Sequence, residues 1–562
     1  MTSPQWREWC GLGALVVALF VVSVATFLQQ GEDSFISFRY VEQAAAGNGL
    51  VFNVGERVEG YSNLLWVLIL IPFAWVGAPL GPVSQALATL SFAALAVGGW
   101  YLAKRWLRGS TMDRWGLPWW LAVAVALDPL MHYHDDRGLE TVSYASCLTG
   151  ALLAIGARSR IAIPALLSGA AVLLRPEGIL FAVALAPGIL AGHDPIARQR
   201  EENRRVWLHL ALYLAVPVAL FAAQVIFRRW YYGEWVPNTV LAKRRSGSGG
   251  EWQLLAYSLT RAGLPVIAIA GFVLASFSVR LRALGVAGLC LHVAAFAFQI
   301  RAGGLLNEGF RYLAPLFPLT AVGCWLLVCR LEEWLALSSQ TWAQRAVGGL
   351  AVVLLLAQPV ALFAPPPQGG RWLFQGNGNA PRSRFLPRLL EPDSWRLAER
   401  LHWYLSEPVF INADVGRFMA DQAPPGTLVA ADQMGQFGYF LGMDRPVVDL
   451  LGLMDRTVAR DGLSLDYLLQ RGPRFIVVEA CLDTDYWPLE WRRRAHVPGL
   501  RPLLADERFL ESYHPRWLLK PRLPEAQLGF LVYERTVGAP MPFEEIEVGA
   551  DEATIRRVWR VF

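Results

Sequence analysis

The chain has 562 residues, of which 54% are hydrophobic and only 17% are charged. This composition is far too apolar for a soluble protein of that length and predicts a polytopic membrane protein. The formal net charge is only +5, and the basic residues lie in short stretches between apolar runs, which argues against nucleic-acid binding.

Apolar runs predict eleven membrane spans. The first extends from Cys10 to Leu28 behind Arg7, and because no signal-peptidase site follows it, we expect it to be retained with the N-terminus in the cytoplasm. The other predicted spans are 84–103, 115–131, 140–157, 160–174, 178–192, 206–226, 264–278, 283–299, 312–329 and 345–363.

Positive charge predicts the orientation of these spans. Five basic clusters, near residues 104–108, 158–160, 198–205, 280–282 and 330–345, alternate with the other loops, and the positive-inside rule places them in the cytoplasm. This holds for eleven spans only if the apolar run 61–79 does not cross, so we predict a re-entrant or juxtamembrane helix there. The non-cytoplasmic side then collects the polar segments 31–63, 132–140, 175–178, 228–251 and 301–312.

A proline- and glycine-rich linker, APPPQGG, follows Phe363. Beyond it, short apolar runs typical of strands alternate with polar and helical stretches. Cys481 is the one cysteine in this third of the chain, so no internal disulfide is possible there. We therefore predict a transmembrane domain over 1–363 and a soluble α/β domain of normal size over 364–562, outside the cytoplasm.

The segment 31–63 carries an adjacent acid pair, Glu32 and Asp33, directly after the first apolar run. Charges this close to a hydrocarbon boundary are costly. An ordinary solvated loop is one interpretation, and an active site at the membrane surface with a carboxylate as general base is the other. On a helix that begins near Glu32, Asp33 would share a face with Ser37 and Tyr40.

An acidic pair at the end of the first span resembles the GT-C glycosyltransferases, integral-membrane enzymes that use polyprenyl-phosphate sugars. The strings EDSFISFRY and GNGLVFNVGERVEGYSNLLW resemble, more specifically, the arabinofuranosyltransferase B family of actinobacterial cell walls. That family usually has two aspartates, so Glu32 departs from its pattern and Asp33 is the stronger catalytic candidate. We also expect three further residues of these strings to bind substrate: Glu59, Tyr61 and Asn63.

A second acidic patch, HYHDDRGLE, covers residues 132–140. Its histidines and carboxylates would suit a divalent cation, or equally a polar cap on a helix end. The string RGLET resembles the GLET string of the same family, although Glu140 would also suit the start of a helix. We expect four residues of this patch to bind substrate: His134, Asp135, Asp136 and Glu140.

A departing phosphate needs cations. Arg39 is one candidate, with a structural ion pair as the alternative. Arg175, in the string RPEG, is another, with pairing to Glu177 as the alternative. The strings YYG, PNT and AK in 231–243 and FRYLAP in 310–315 resemble family segments. They add Asn238 for substrate and, for the donor phosphate or its headgroup, Lys243, Arg311 and Tyr312.

In the predicted soluble domain, Asp432, Asp449 and Asp455 fall at strand ends or turns. Contact with a glycan acceptor is one interpretation of these residues, and turn or cap formation is the other.

The leading functional hypothesis is a multi-pass inner-membrane glycosyltransferase. The resemblance implies transfer of a sugar, arabinofuranose in the closest family, from a polyprenyl-phosphate donor to a cell-wall polysaccharide on the extracytoplasmic face. A lipid-linked-sugar transporter or flippase is an alternative, although the polar residues gather on one face rather than at mid-membrane. A non-catalytic glycan-assembly protein is the third.

Overall fold

Apolar helices make up the first two thirds of the chain in the computed structural model. It describes residues 3–26, 31–108, 111–114, 116–135, 138–192, 200–243, 254, 257–258, 263–302, 308–336, 341–363, 408–481, 500–521, 528–535 and 542–548. The helices before residue 364 are Ser3–Thr26, Glu32–Ala45, Leu64–Trp75, Leu80–Leu107, Thr111–Arg114, Leu117–Ala126, Pro129–Asp135, Thr141–Gly156, Ala162–Leu174, Gly178–Ala191, Arg200–Tyr231, Asn238–Lys243, Leu264–Ser276, Arg282–Ala302, Phe317–Ala336 and Thr341–Phe363, with a 3-10 helix at Glu308–Leu316.

Every predicted span contains an apolar helix. Within the described residues, five helical stretches are long and apolar enough to cross a membrane by length and composition: Trp6–Ser23, Leu80–Leu107, Arg204–Tyr231, Arg282–Ala302 and Phe310–Leu335. Seven further apolar stretches, among them Arg345–Ala357 within the helix Thr341–Phe363, have only 10–17 residues, so the count of eleven crossings stays a prediction. Helix Leu64–Trp75 has 12 residues and spans only about 18 Å, against about 30 Å of hydrocarbon. Its placement as a re-entrant or juxtamembrane helix also stays a prediction.

Small residues allow the helices to approach one another closely. A Cβ atom added to Gly271 would lie 1.9 Å from the carbonyl oxygen of Gly323, so helices Leu264–Ser276 and Phe317–Ala336 touch through their backbones. A Cβ atom added to Gly188 would lie 2.5 Å from the Cβ of Ala287. Contact through small residues is how helices pack in lipid, where burial of apolar side chains gives little driving force.

The C-terminal part of the chain forms a mixed sheet with six strands in its described residues. The strands are β1 Val429–Ala431, β2 Val447–Asp449, β3 Phe475–Cys481, β4 Tyr513–Pro521, β5 Leu528–Arg535 and β6 Glu544–Val548. Their order is β2-β1-β3-β5-β4-β6. The first three run parallel, β5 is antiparallel to β3 and β4, and β6 is parallel to β4.

Both faces of this sheet are covered. The helices beside it are Pro408–Gln422, Gln436–Phe440, Arg456–Asp461, Leu465–Arg471, Arg501–Leu504 and Glu507–Ser512. Along β3, Ile476 and Val478 belong to one apolar core and Phe475 and Val477 to another, as the period of two in a strand requires. The second core is continuous with that of the membrane helices, so the two parts of the chain share apolar packing.

Arg39 ties helix Glu32–Ala45 to the C-terminal part. Its side chain is fully buried, and its guanidinium donates to the carbonyl oxygens of Phe52 at 2.9 Å, Arg445 at 2.9 Å and Gly442 at 3.2 Å. It also donates to the carbonyl of Gly438. A buried charge is tolerated only when hydrogen bonds replace its lost hydration, so these carbonyls fix the position of the helix.

Asn53 makes a second joint, at the outer edge of the sheet. Its side-chain amide donates to the carbonyl of Val447 at 2.8 Å and accepts from the amide of the same residue at 3.0 Å. Because β2 pairs with β1 on its other side, Asn53 satisfies backbone groups that an edge strand would otherwise leave unpaired.

Replacing Arg39 with Met should loosen the joint, since it leaves several buried carbonyls without their donor at a cost on the order of 3 kcal/mol. We expect a lower Tm and faster proteolysis between the two parts in the purified protein. Arg417→Met is the matched control, because that side chain is 56% exposed. Equal effects of the two substitutions would contradict a structural role for Arg39.

Candidate functional site

Side-chain contacts link each of the five polar segments that were predicted to share one side of the membrane to at least one other of them. Asp33 and Asn63 come from the first segment, and Glu140, Arg175 and Arg311 come from three others. The fifth segment contributes Arg228, which binds Glu59. The contacts place these segments on the same side. Which side faces the cytoplasm stays a prediction.

Asp33 and Arg311 form an ion pair at the surface of this cluster. Asp33 Oδ2 lies 2.8 Å from Arg311 Nη1, and the two side chains are 52% and 19% exposed. Asp33 lies in the first turn of helix Glu32–Ala45, where a carboxylate is favoured by the helix dipole. Phe310, directly before Arg311, has φ 59°, a left-handed conformation that aromatic residues rarely adopt and that functional sites often retain.

Glu140 is the buried centre of the cluster. Its carboxylate is fully buried at the start of helix Thr141–Gly156. It accepts from Asn63 Nδ2 at 2.7 Å and from Arg175 Nη1 at 2.9 Å, and it lies 3.7 Å from Arg311 Nη2. Two guanidiniums and one amide therefore compensate a carboxylate that has lost its water.

Arg175 lies deeper than Arg311. Its side chain is 5% exposed and is held by Glu140 and by Glu177 Oε1, 2.5 Å from its Nε. The rings of Tyr144 and Tyr312 lie 5.7 Å and 5.8 Å from its Cζ atom. The pairing with Glu177 that the sequence offered as an alternative is present. Arg175 therefore holds Glu140 and Glu177 in position beneath the surface of the cluster. Its predicted contact with the donor stays a prediction.

Glu32 is directed toward the C-terminal part of the chain. Its Oε1 accepts from the backbone amide of Gly435 at 2.6 Å. A Cβ atom at Gly435 would lie 1.9 Å from the carbonyl oxygen of Glu32, so only glycine fits there. This contact makes Glu32 a positioning residue between helix Glu32–Ala45 and the loop after β1, while its predicted catalytic role stays a prediction.

A second polar cluster lies beside the first. Glu59 is bound through two nitrogens of Arg228, of which Nη2 lies 3.2 Å from its Oε1, and both side chains are buried. The Tyr61 hydroxyl lies 3.0 Å from that of Tyr232. Asn238 donates to the carbonyls of Gly452 at 2.8 Å and Leu453 at 3.0 Å. The three predicted substrate residues here, Glu59, Tyr61 and Asn238, thus have structural contacts.

Arg228 was missed by sequence reasoning. It stands at the end of an apolar helix, where an interfacial anchor is the default interpretation. The sequence did offer one clue. Glu59 lies in a polar segment on the same predicted side, and a carboxylate buried there would need a cation such as Arg228 as its partner.

Arg39 and Lys243 were both predicted to bind the donor phosphate, and the structure describes the side chain of Arg39 only. Arg39 is fully buried against backbone carbonyls, which leaves no surface for a phosphate and corrects its assignment to donor binding. Its partners are backbone carbonyls rather than the carboxylate of the structural ion pair that the sequence offered as the alternative. Lys243 ends helix Asn238–Lys243, and its side chain lies outside the described residues, as does the whole of Asp136.

The acidic patch 132–140 spreads in different directions. His134 stacks on Phe317, with ring centroids 5.6 Å apart. Asp135 accepts from the Thr89 hydroxyl at 2.9 Å, and both are buried. In the described part of the chain, no group of three or more His, Cys, Asp or Glu side chains is arranged to hold a metal ion. Contacts with substrate at His134 and Asp135 stay predictions.

The aspartates of the C-terminal part make turns and caps. Asp449 accepts from the amides of Leu451 at 2.8 Å and Met454 at 2.7 Å. Asp455 caps helix Arg456–Asp461. Asp432 accepts from the amide of Glu479 at 3.0 Å. These bonds favour the structural alternative.

Burial raises the pKa of Asp432 to about 7 and that of Glu479, which also faces Asp432, to about 8. The folded protein therefore binds more protons than the unfolded chain between about pH 4 and pH 8. For each additional proton that the folded protein binds, the free energy of unfolding falls by about 1.4 kcal/mol when the pH rises by one unit. The strands β1 and β3 should thus be less stable at pH 8 than at pH 6.

Hydrogen–deuterium exchange of β1 and β3 in the purified protein, corrected for the intrinsic pH dependence of amide exchange, measures this difference. Glu479→Gln should flatten the pH dependence. Glu544→Gln, at a side chain that is 49% exposed, should leave it unchanged. Stability that rises toward pH 8 would contradict the burial argument.

Comparisons with known proteins confirm the resemblance that the sequence predicted. The chain is 30% identical over 239 residues to a terminal beta-(1->2)-arabinofuranosyltransferase of Mycobacterium tuberculosis, covering 39% of this chain and 35% of that protein. It is 26% identical over 342 residues to the protein of the same name from Corynebacterium glutamicum, covering 51% and 46%. The chain thus matches less than half the length of either relative.

The fold resembles that of a solved structure. The crystal structure of ArnT from Cupriavidus metallidurans bound to undecaprenyl phosphate superposes with a TM-score of 0.52 at 13% identity, over 94% of this chain and 98% of that one. At this identity the likeness concerns the fold alone. A family model described as "Domain of unknown function (DUF8728)" matches residues 401–519.

Proposed function

We propose that this chain is a membrane glycosyltransferase that moves a sugar from a polyprenyl-phosphate donor to a cell-envelope glycan on the extracytoplasmic face. The names of its relatives favour arabinofuranose as that sugar. The observation that carries the proposal is the partly exposed pair of Asp33 and Arg311, 2.8 Å apart and backed by buried Glu140 and Arg175. It combines a carboxylate for a general base with a guanidinium for a phosphate.

The names of the relatives support the sugar and the class of reaction. The lipid in the ArnT structure, undecaprenyl phosphate, supports the class of donor. A polyprenyl chain needs an apolar surface next to the phosphate site, and the apolar helices that lead to the cluster supply one.

In the reaction, the acceptor hydroxyl would give its proton to the Asp33 carboxylate while its oxygen bonds to the anomeric carbon of the donor sugar. The bond from that carbon to the phosphate oxygen breaks, and the electron pair leaves with the lipid phosphate. The phosphate gains one negative charge in this step, so a cation at Arg311 stabilises the transition state more than the bound donor.

Asp33→Asn should abolish transfer while the protein still folds, because an amide does not accept the proton. The measurement is turnover of radiolabelled polyprenyl-phosphate sugar by the reconstituted protein. Asp444→Asn is the control, since Asp444 is also exposed, at 53%, and paired with an arginine at 2.7 Å. Unchanged turnover in Asp33→Asn would favour a transporter or an assembly protein instead.

Arg311→Ala should weaken donor binding about 10- to 100-fold, the range expected for loss of a charge-assisted hydrogen bond, and acceptor binding much less. Titration of each substrate against the variant measures the two affinities. Arg330→Ala is the control, because Arg330 lies farther along the chain in helix Phe317–Ala336, is 26% exposed and also pairs with a carboxylate. An unchanged donor affinity in Arg311→Ala would contradict the phosphate site.

A further inference from the structure

Helix Arg200–Tyr231 marks the level of the membrane surface beside the candidate site. Only 17% of its most apolar window is buried inside the protein, as expected for a span that faces lipid. Trp207 near its start and Trp230 near its end are 63% and 77% exposed. The two indoles lie about 35 Å apart along the helix axis, close to the thickness of the hydrocarbon layer, at whose boundaries Trp is enriched. Trp230 therefore lies at the boundary on the side of the candidate site.

Exposed apolar side chains continue past the end of this helix. Trp235 is 64% exposed, and Val240, in helix Asn238–Lys243, is 41% exposed. Arg229 is exposed as well. Its Cζ atom lies 5.5 Å from the centre of the Trp235 ring, and its guanidinium donates to the carbonyl of Gly233. A cation stacked on an exposed indole suits the headgroup layer, where a polar medium borders on hydrocarbon.

A second exposed arginine reaches the same end of the helix. The Cζ atom of Arg57 lies 4.6 Å from the centre of the ring of Tyr231, the last residue of the helix. Arg228, by contrast, is buried and points into the protein. Arg57 and Arg229 are thus two exposed guanidiniums at the level of the headgroups, and a guanidinium donates well to phosphate oxygens.

The C-terminal part of the chain is attached at this level too. Arg456 Nη2 donates to the carbonyls of Tyr232 at 2.7 Å and Arg57 at 3.0 Å. Glu234 Oε1 lies 3.3 Å from Arg456 Nε and 2.5 Å from Arg460 Nη2. The short helix that carries both of these arginines therefore lies against the end of the lipid-facing span.

We infer that this region is a binding surface for anionic phospholipids, which hold the C-terminal part against the membrane. Two arginines and three apolar side chains form it, and we call them the headgroup patch: Arg57, Arg229, Trp230, Trp235 and Val240. The patch continues the lipid-facing surface of helix Arg200–Tyr231, and its cations complement the phosphates of an anionic leaflet. The occupant is therefore phospholipid of that leaflet. This inference needs only that the helix crosses the membrane, and it stands whether or not the chain transfers a sugar.

The test measures the lipids that the whole chain retains. After extraction from vesicles of equal parts phosphatidylglycerol and phosphatidylcholine, the wild type should carry an excess of phosphatidylglycerol, measured by mass spectrometry of the bound lipids. Replacing Arg57 and Arg229 together with Gln should lower the ratio of the two lipids by about fivefold for each arginine. Each single replacement should give about half of that effect on a logarithmic scale.

The matched control replaces Arg417 and Arg474 with Gln. These side chains are 56% and 51% exposed, and their Cζ atoms lie 4.1 Å and 5.0 Å from the centres of aromatic rings. The control should keep the wild-type lipid ratio. In bilayers that contain phosphatidylglycerol, amide exchange of residues 229–240 should also be slower than in phosphatidylcholine alone, and the Gln pair at Arg57 and Arg229 should remove this difference.

Several outcomes would overturn the inference. One is a wild type without an excess of phosphatidylglycerol, and another is an equal loss in the patch variant and the control. Amide exchange that does not depend on the lipid would contradict it as well. Displacement of bound phosphatidylglycerol by added undecaprenyl phosphate would assign the patch to a polyprenyl lipid instead. The proposed function survives each of these results, since it depends on Asp33 and Arg311.

Discussion

The buried carboxylate of Glu140 is the constraint on which the cluster depends. A charge without water at the start of an apolar helix is stable only if cations and hydrogen-bond donors reach it. Arg175, Arg311 and Asn63 do so from three distant parts of the sequence. The need to neutralise one carboxylate therefore decides where several helices end and draws their polar ends to one place.

The segment 31–63 connects this cluster to the C-terminal sheet. Its two ends supply Asp33 and Asn63 to the membrane helices, and between them Arg39 and Asn53 bind backbone groups of residues 438–447. Glu32, the residue directly before Asp33, accepts a hydrogen bond from the loop after β1. A shift of the sheet would thus move the first turn of the helix that carries the proposed base, which gives the C-terminal part a direct mechanical connection to the site.

The sequence predicted the positions of the apolar helices, because runs of hydrophobic residues have a length and spacing of their own. It also predicted that Asp33 and Arg311 would lie on one side, because charges between spans sort by side. It did not predict the roles of Arg39 or Glu32, whose partners are backbone groups about 400 positions away. Backbone carbonyls and amides are the same at every residue, so such contacts leave no trace in the residue types. The match of Arg228 to Glu59 was hidden for a related reason, since a cation near a helix end has an ordinary explanation as a lipid anchor.

The amide of Asn53 has a consequence for how the chain is divided in the laboratory. With that amide in place, the outer strand of the sheet presents no free ladder at Val447. Severed from the helices, the same sheet would show a bare edge, and bare edges recruit further strands. A C-terminal fragment without the helices is therefore expected to self-associate in solution through the edge of β2. In the whole chain, the side chain of Asn53 covers this edge at Val447.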